Sequence, residues 1–572
     1  MKRHIILLLS MLLLSACYRD LGTYSYIFSD LNEVYLDSIT FSPQAYQSRD
    51  GMVIEVRQPT ADVVKRIDVH LVQRVFKDID KLDFLWKRIY DRDGVQVTDT
   101  VNTKGYVELD FPANKEMNYN ITLVITDLTT TLKYYKALKV KTRPLFRNSL
   151  FVLHGEPGKR ILGNVEHIGD KVEMWTNVLS AKDPDSESNT FAKAIALAYS
   201  PYIQSRGSLK NRALGIFYSD GNANLYDPYG LTQKFANEPN YVLPVSNSPI
   251  ILKQYVAVGN YQSLNNGQLI IDRIGRVFVA GYYFCFVPID NNVSPNNPQH
   301  EKDYTVTTGT ILSNYILLWD SKHSRFLYQQ RQRHFANSDI VARKMASRVF
   351  MAPLIDAKVD FSSLGELTPV GRKAIYAYID AKGNDYATAH PFFIFKDEHS
   401  GYFYLYELIS QLGDKDGGGS GDEGGDNPAF AIKAKLMTNF RPGDNLASIA
   451  YSQSFSTNYI FYAEGSNIYR YNTSNGELYT VYSAPADYTV ALFKFRTPYY
   501  TEYSGYLSRY MDIALQKDGQ GAITSLKLSN AGDVDGSYTD GIQDGGADKF
   551  GPIVDIQFVH DVIMEPENTE EI

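Results

Sequence analysis

The chain is almost without cysteine: its 572 residues include two, Cys17 and Cys285. Two cysteines cannot build a disulfide framework. Cys285 lies in the aromatic run Tyr282-Tyr283-Phe284-Cys285-Phe286 and reads as a small buried apolar side chain. Long basic runs are missing, which argues against nucleic acid as a partner. Beyond the first residues, no apolar stretch approaches the roughly 20 residues that a membrane-spanning helix needs. Signatures of chemistry are missing too. There is no H-E-x-x-H, no pair of histidines four apart, no G-x-S-x-G elbow and no P-loop. His154 with Glu156 and His167 is too loose for a metal site, as is His323 with His334, so these read as structural or surface histidines. The 65 acidic residues carry no motif that would select a pair for glycoside cleavage. The expectation is a protein without catalytic residues and without a resident cofactor.

What is present begins at the N-terminus. Met1-Lys2-Arg3-His4 is a short basic head, residues 5–14 are apolar, and Leu14-Ser15-Ala16-Cys17 supplies small residues at a cut. This is the pattern of a secretory signal. A signal whose cut falls just before a cysteine resembles the lipobox of bacterial lipoproteins. That resemblance implies cleavage before Cys17, lipidation of its sulfur and acylation of its new amino group. Two or more acyl chains hold a protein stably at a membrane. The alternative is an ordinary signal peptide with a chance cysteine. Residues 1–16 are thus predicted to be a lipoprotein signal and residues 17–30 a lipidated tether. Loss of Lys2 and Arg3 would take the 57 basic residues to 55 against 65 acidic ones, a net charge of −10.

Tyrosine is abundant at 43 residues, which fits a chain rich in strands. Residues 31–142 read as short alternating strands, among them Tyr106-Val107-Glu108-Leu109-Asp110 and Leu123-Val124-Ile125-Thr126-Asp127, with Trp86 in the middle. Asp91-Arg92-Asp93-Gly94 reads as a hairpin turn. The pattern suggests a β-sandwich of immunoglobulin type. Phe84-Leu85-Trp86 followed by the Leu123–Asp127 stretch resembles PKD domains, which implies that Trp86 packs between the sheets.

Residues 145–566 change texture to repeated strand–turn–strand units. Seven apolar runs stand out, at about 151, 214, 269, 315, 374, 459 and 511, spaced about 60 residues apart. Blades of four short strands at such a period predict a β-propeller, seven blades fitting best, with six or eight left open by the uneven spacing. The strand Ile553-Val554-Asp555-Ile556-Gln557-Phe558-Val559 could complete the first or last blade. Residues 414–428 are glycine-rich and acidic and read as a flexible loop. Calcium would be the functional reading there and at Asp533-Val534-Asp535-Gly536-Ser537, but the spacing matches no EF-hand. Residues 567–572 form an acidic tail.

Taken together, the lipobox, the PKD-like region and the β-rich remainder resemble the PKD-like family lipoproteins of Gram-negative gut bacteria. Cys17-Tyr18-Arg19-Asp20-Leu21-Gly22-Thr23-Tyr24-Ser25-Tyr26 looks like their mature start. Asn467-Ile468-Tyr469-Arg470-Tyr471 and Lys549-Phe550-Gly551-Pro552-Ile553-Val554-Asp555 are similar to later stretches. The resemblance implies a lipid-anchored protein on the outer membrane, facing the exterior. It implies an accessory role beside a SusC/SusD-type, TonB-dependent importer of glycans or peptides, without catalysis. It assigns no ligand-binding residues. Two alternatives stay open: a surface hydrolase with carboxylates in the propeller funnel, and a structural or adhesive protein.

Overall fold

The computed structural model describes residues 33–559, apart from 179–190, 201–212, 236–249, 259–266, 281–286, 290–302, 331–353, 381–388, 411–428, 443–448, 497–508, 541–549 and some shorter stretches. Cys17, Cys285, His334, the glycine-rich loop at 414–428 and the tail at 567–572 lie outside the described residues. Among the described residues, no helix is long and apolar enough to cross a membrane. The chain divides into two compact units, Met1–Leu145 and Phe146–Ile572.

The first unit is a β-sandwich. One sheet pairs Val34–Ser42, Val63–Gln73 and Tyr106–Phe111. The other has six strands, in the spatial order Tyr46–Gln47, Val53–Arg57, Lys133–Arg143, Asn118–Asp127, Leu82–Arg92 and Val95–Val101. Alternation along each strand sends one set of side chains inward. Ile67, Val107 and Leu109 from the first sheet thus meet Phe84, Trp86, Leu123 and Val140 from the second. Trp86 is fully buried, and its indole N–H donates to Thr103 O at 3.2 Å. It is a core residue, as the sequence predicts.

Seven sheets make up the second unit, and they form a propeller. Blade 1 is closed by the two ends of the unit: Ile553–Val559 pairs with Ser149–His154, which continues to Ile161–Ile168 and Lys171–Trp175. Blades 2, 3, 4, 6 and 7 are four-stranded antiparallel sheets over 194–235, 252–288, 306–356, 449–483 and 489–540. Blade 5 runs through Lys373–Asp380, His390–Lys396, Phe403–Ser410 and Ala429–Leu436, with Lys358–Val359 added in parallel outside the last strand. The strand Ile553–Val559 therefore completes the first blade and closes the ring, leaving only short outer edges. Close approach at the join requires glycine. Gly521 N–H donates to Phe550 O at 2.8 Å, and a Cβ on Gly521 would lie 2.5 Å from Gly551 O.

Most of the apolar runs in the sequence are the second strand of a blade. That strand is covered on both faces by neighbouring blades, so it is apolar throughout rather than alternating. Ser149–His154 and Tyr315–Asp320 are buried at every position. Trp319 of blade 4, for example, meets Phe395 of blade 5 edge-on at 4.8 Å. The fifth run is the exception. Lys373–Asp380 is the first strand of blade 5, and the true counterpart of the other runs is His390–Lys396. This lengthens the apparent interval to the sixth run.

Several singled-out polar residues have structural partners. His323 Nδ1 donates to Asp320 Oδ2 at 2.8 Å, and Asp320 also binds the Thr305 and Lys322 amides. Asp533 pairs with Arg470 at 2.9 Å and Asp535 with Lys527 at 3.3 Å. Among the described residues, no group of three or more His, Cys, Asp or Glu is placed to hold a metal ion.

Candidate functional site

A cavity of about 550 Å³ opens between blades 5 and 6. Register builds its blade 5 wall. Tyr378 pairs with Phe392, Phe392 with Glu407, and Glu407 with Lys433, so these four side chains form one row across four strands. Asp380 pairs with His390 at one end of that row. On the other side, Ile394 pairs with Leu405 and Leu405 with Lys435. The period of two in each strand places these rows on the face of the blade turned to blade 6. Asn458, Thr473 and Ser474 of blade 6 supply the opposite wall.

Aromatic rings stand behind the polar rim. Tyr378 stacks on Phe392 with centroids 5.1 Å apart and planes 9° from parallel. On its other side it stacks on Tyr451 of blade 6 at 4.3 Å, and Tyr376 follows along its own strand at 6.0 Å. Tyr376 Oη accepts from the Tyr451 amide at 3.0 Å, and burial pushes the Tyr376 phenol up to about 12. Tyr378 differs: its hydroxyl is buried and has no hydrogen-bond partner. Leaving such a group unpaired costs on the order of 1–3 kcal/mol. Burial, then the charges of Asp380 and, more weakly, Tyr376 and Glu407, hold its pKa well above the usual phenol value.

The carboxylates are already engaged. Asp380 Oδ1 accepts from Tyr451 Oη at 2.9 Å, and its other oxygen accepts from the Asn458 amide. Burial and the Asp380 charge raise the Tyr451 pKa, so that phenol stays a donor. Glu407 Oε1 accepts from His390 Nδ1 at 2.7 Å, while Oε2 lies 3.9 Å from Lys433 Nζ. A carboxylate offers about four lone-pair sites, so each keeps capacity for a ligand. Partial burial lowers the Lys435 pKa. The cavity thus combines acceptors, donors and an aromatic face, with charges of both signs in balance. That suits an uncharged polar ligand. An imidazole oriented by a carboxylate also has the form of a general base. Among the described residues, however, His390 has no hydroxyl partner.

None of these residues carries a motif. Glu407 stands out only as a lone acid within the apolar strand Phe403–Ser410, and Asp380 as the polar end of Lys373–Asp380. His154, which the sequence pairs loosely with Glu156 and His167, belongs to the ring closure. It accepts from Gly551 N–H and contacts Thr176 O.

No family model matches this chain, and no curated protein matches it. Solved structures are similar to it at low identity. A quinonprotein alcohol dehydrogenase-like protein from Bacteroides thetaiotaomicron is 9% identical, over 89% of this chain and 96% of that one, with a TM-score of 0.37. An auxiliary nutrient binding protein from the same organism is 10% identical, over 91% and 88%, with a TM-score of 0.24. The Synechocystis apocarotenoid oxygenase is 8% identical, over 73% and 93%, with a TM-score of 0.33. Likeness of this degree carries no information on ligand or activity.

Proposed function

We propose that this protein is a non-enzymatic surface lipoprotein that captures a glycan or peptide for a SusC/SusD-type importer. The observation that carries the binding role is the cavity between blades 5 and 6. Its walls are fixed by strand register, and its carboxylates already accept hydrogen bonds from protein donors. A preformed polar cleft of this kind binds without rearrangement. The lipidation reading of Cys17 supports placement at the outer membrane, and the family resemblance supports an importer as partner. Calcium and other cofactors have no role in this proposal.

The test is to anchor the full protein through its own lipid in native membranes and isolate it with a mild detergent. A TonB-dependent channel should accompany it, and the purified protein should bind a glycan or peptide pool without shortening it. Absence of both channel and ligand would leave the adhesive alternative. The hydrolase reading is favoured by one observation, the His390–Glu407 pair. Turnover of a glycan or peptide pool that disappears in His390→Ala would establish it instead.

A further inference from the structure

Of the possible occupants of the cavity, a neutral sugar matches its chemistry most fully. Charge is the first argument. Glu407 faces Lys433 and His390, and Asp380 is held by two neutral donors, Tyr451 and Asn458. Lys435 also lines the cavity, so two carboxylates stand against two ammonium groups and no excess of either sign is left to seize a sulfate, a uronate or a peptide terminus. The second argument is the mixture of donors and acceptors. A vicinal diol donates to carboxylate lone pairs and accepts from amide and ammonium groups at once. Apolar C–H faces of a sugar ring pack on an aromatic face, and Phe392 lines the cavity.

We propose that the cavity is a subsite for one unit of a neutral glycan, with Phe392 as its platform, Asp380 and Glu407 as acceptors, and Lys433 and Lys435 as donors. This rests on the capture reading and narrows it from glycan or peptide to neutral glycan.

The test is titration calorimetry of the full protein with three probes: neutral gluco-, manno-, galacto- and fructo-oligosaccharides, uronate-bearing or sulfated oligosaccharides, and a casein peptide digest. A neutral oligosaccharide should bind. Phe392→Ala removes the aromatic platform, so it should weaken that binding about 5- to 10-fold. Glu407→Gln should weaken it about tenfold or more at an unchanged fold, read by circular dichroism. Unchanged affinity in Phe392→Ala, with the fold intact by circular dichroism, would overturn the subsite. So would selective binding of the acidic oligosaccharides or the peptides, which would leave capture standing. Binding of none of the three would overturn the capture reading as well.

Discussion

Gly551 N–H donates a hydrogen bond to Nδ1 of His154 at 3.0 Å, joining residues 397 positions apart in the chain. An imidazole nitrogen that accepts carries no proton. The proton is therefore on Nε2, which donates to Thr176 O at 2.8 Å. Phe550 packs edge-on against the same ring at 5.0 Å. His154 is thus a neutral latch on the strand that closes the propeller.

Burial lowers the His154 pKa below its ordinary value near 6.5, with the Thr176 carbonyl opposing. The unfolded chain then binds a proton first as pH falls. Stability from this group is complete above about pH 6.5 and declines as pH drops from there toward the folded value. His154→Ala should cost about 1–3 kcal/mol at pH 7.5, because two partly buried backbone groups lose their partner and Phe550 loses the ring it packs on. The penalty should shrink at pH 5. Denaturant midpoints of both proteins at the two pH values check this, and a penalty that is constant or larger at pH 5 would refute it.

A second device at the closure is ionic. Arg496 and Asp512 are 7% and 2% exposed and lie 2.8 Å apart, with Ser525 bonded to both. The guanidinium also sits 3.8 Å from the ring centre of Phe558, on the closing strand. Removing one member of a buried pair strands the other. Arg496→Ala should therefore destabilise the ring by about 3–5 kcal/mol. Replacing both residues with apolar ones of similar volume should cost much less. Equal losses in the single and double variants, measured by urea unfolding, would contradict this.

The sandwich has its own core, so its stability can be perturbed separately. Trp86→Ala empties the centre of that core and should cost about 3–5 kcal/mol. In calorimetry the effect should fall on one transition and spare the propeller's. A uniform shift of every transition would argue against separate cores.

The proposed function requires a lipid tether at Cys17. Cys17→Ser should abolish incorporation of labelled palmitate and move the protein from the membrane to the soluble fraction. Membrane retention of the serine variant would point to another anchor.

The legible parts of the sequence are those where one strand reports its own surroundings. Trp86 is buried between the sheets, as the resemblance to PKD domains implies. Ser149–His154 and Tyr315–Asp320 are apolar throughout because blades cover both faces. Lys373–Asp380 looks the same in sequence, although it is innermost, because apolar content does not report a strand's order in its blade. The cavity was illegible for a related reason. Tyr378, Phe392, Glu407 and Lys433 are neighbours only through three strand registers, and Asn458 comes from the next blade. No spacing in one strand encodes that row. The signals present were a lone acid in an apolar strand and His390 two residues before Phe392, and such features are common in strands that bind nothing.

The most direct test of capture without catalysis is equilibrium binding of neutral oligosaccharides to the intact protein, with the bound sugar recovered and its chain length measured. The account predicts saturable binding and a recovered sugar of unchanged length. Shortened products, or no binding of any oligosaccharide, would contradict it.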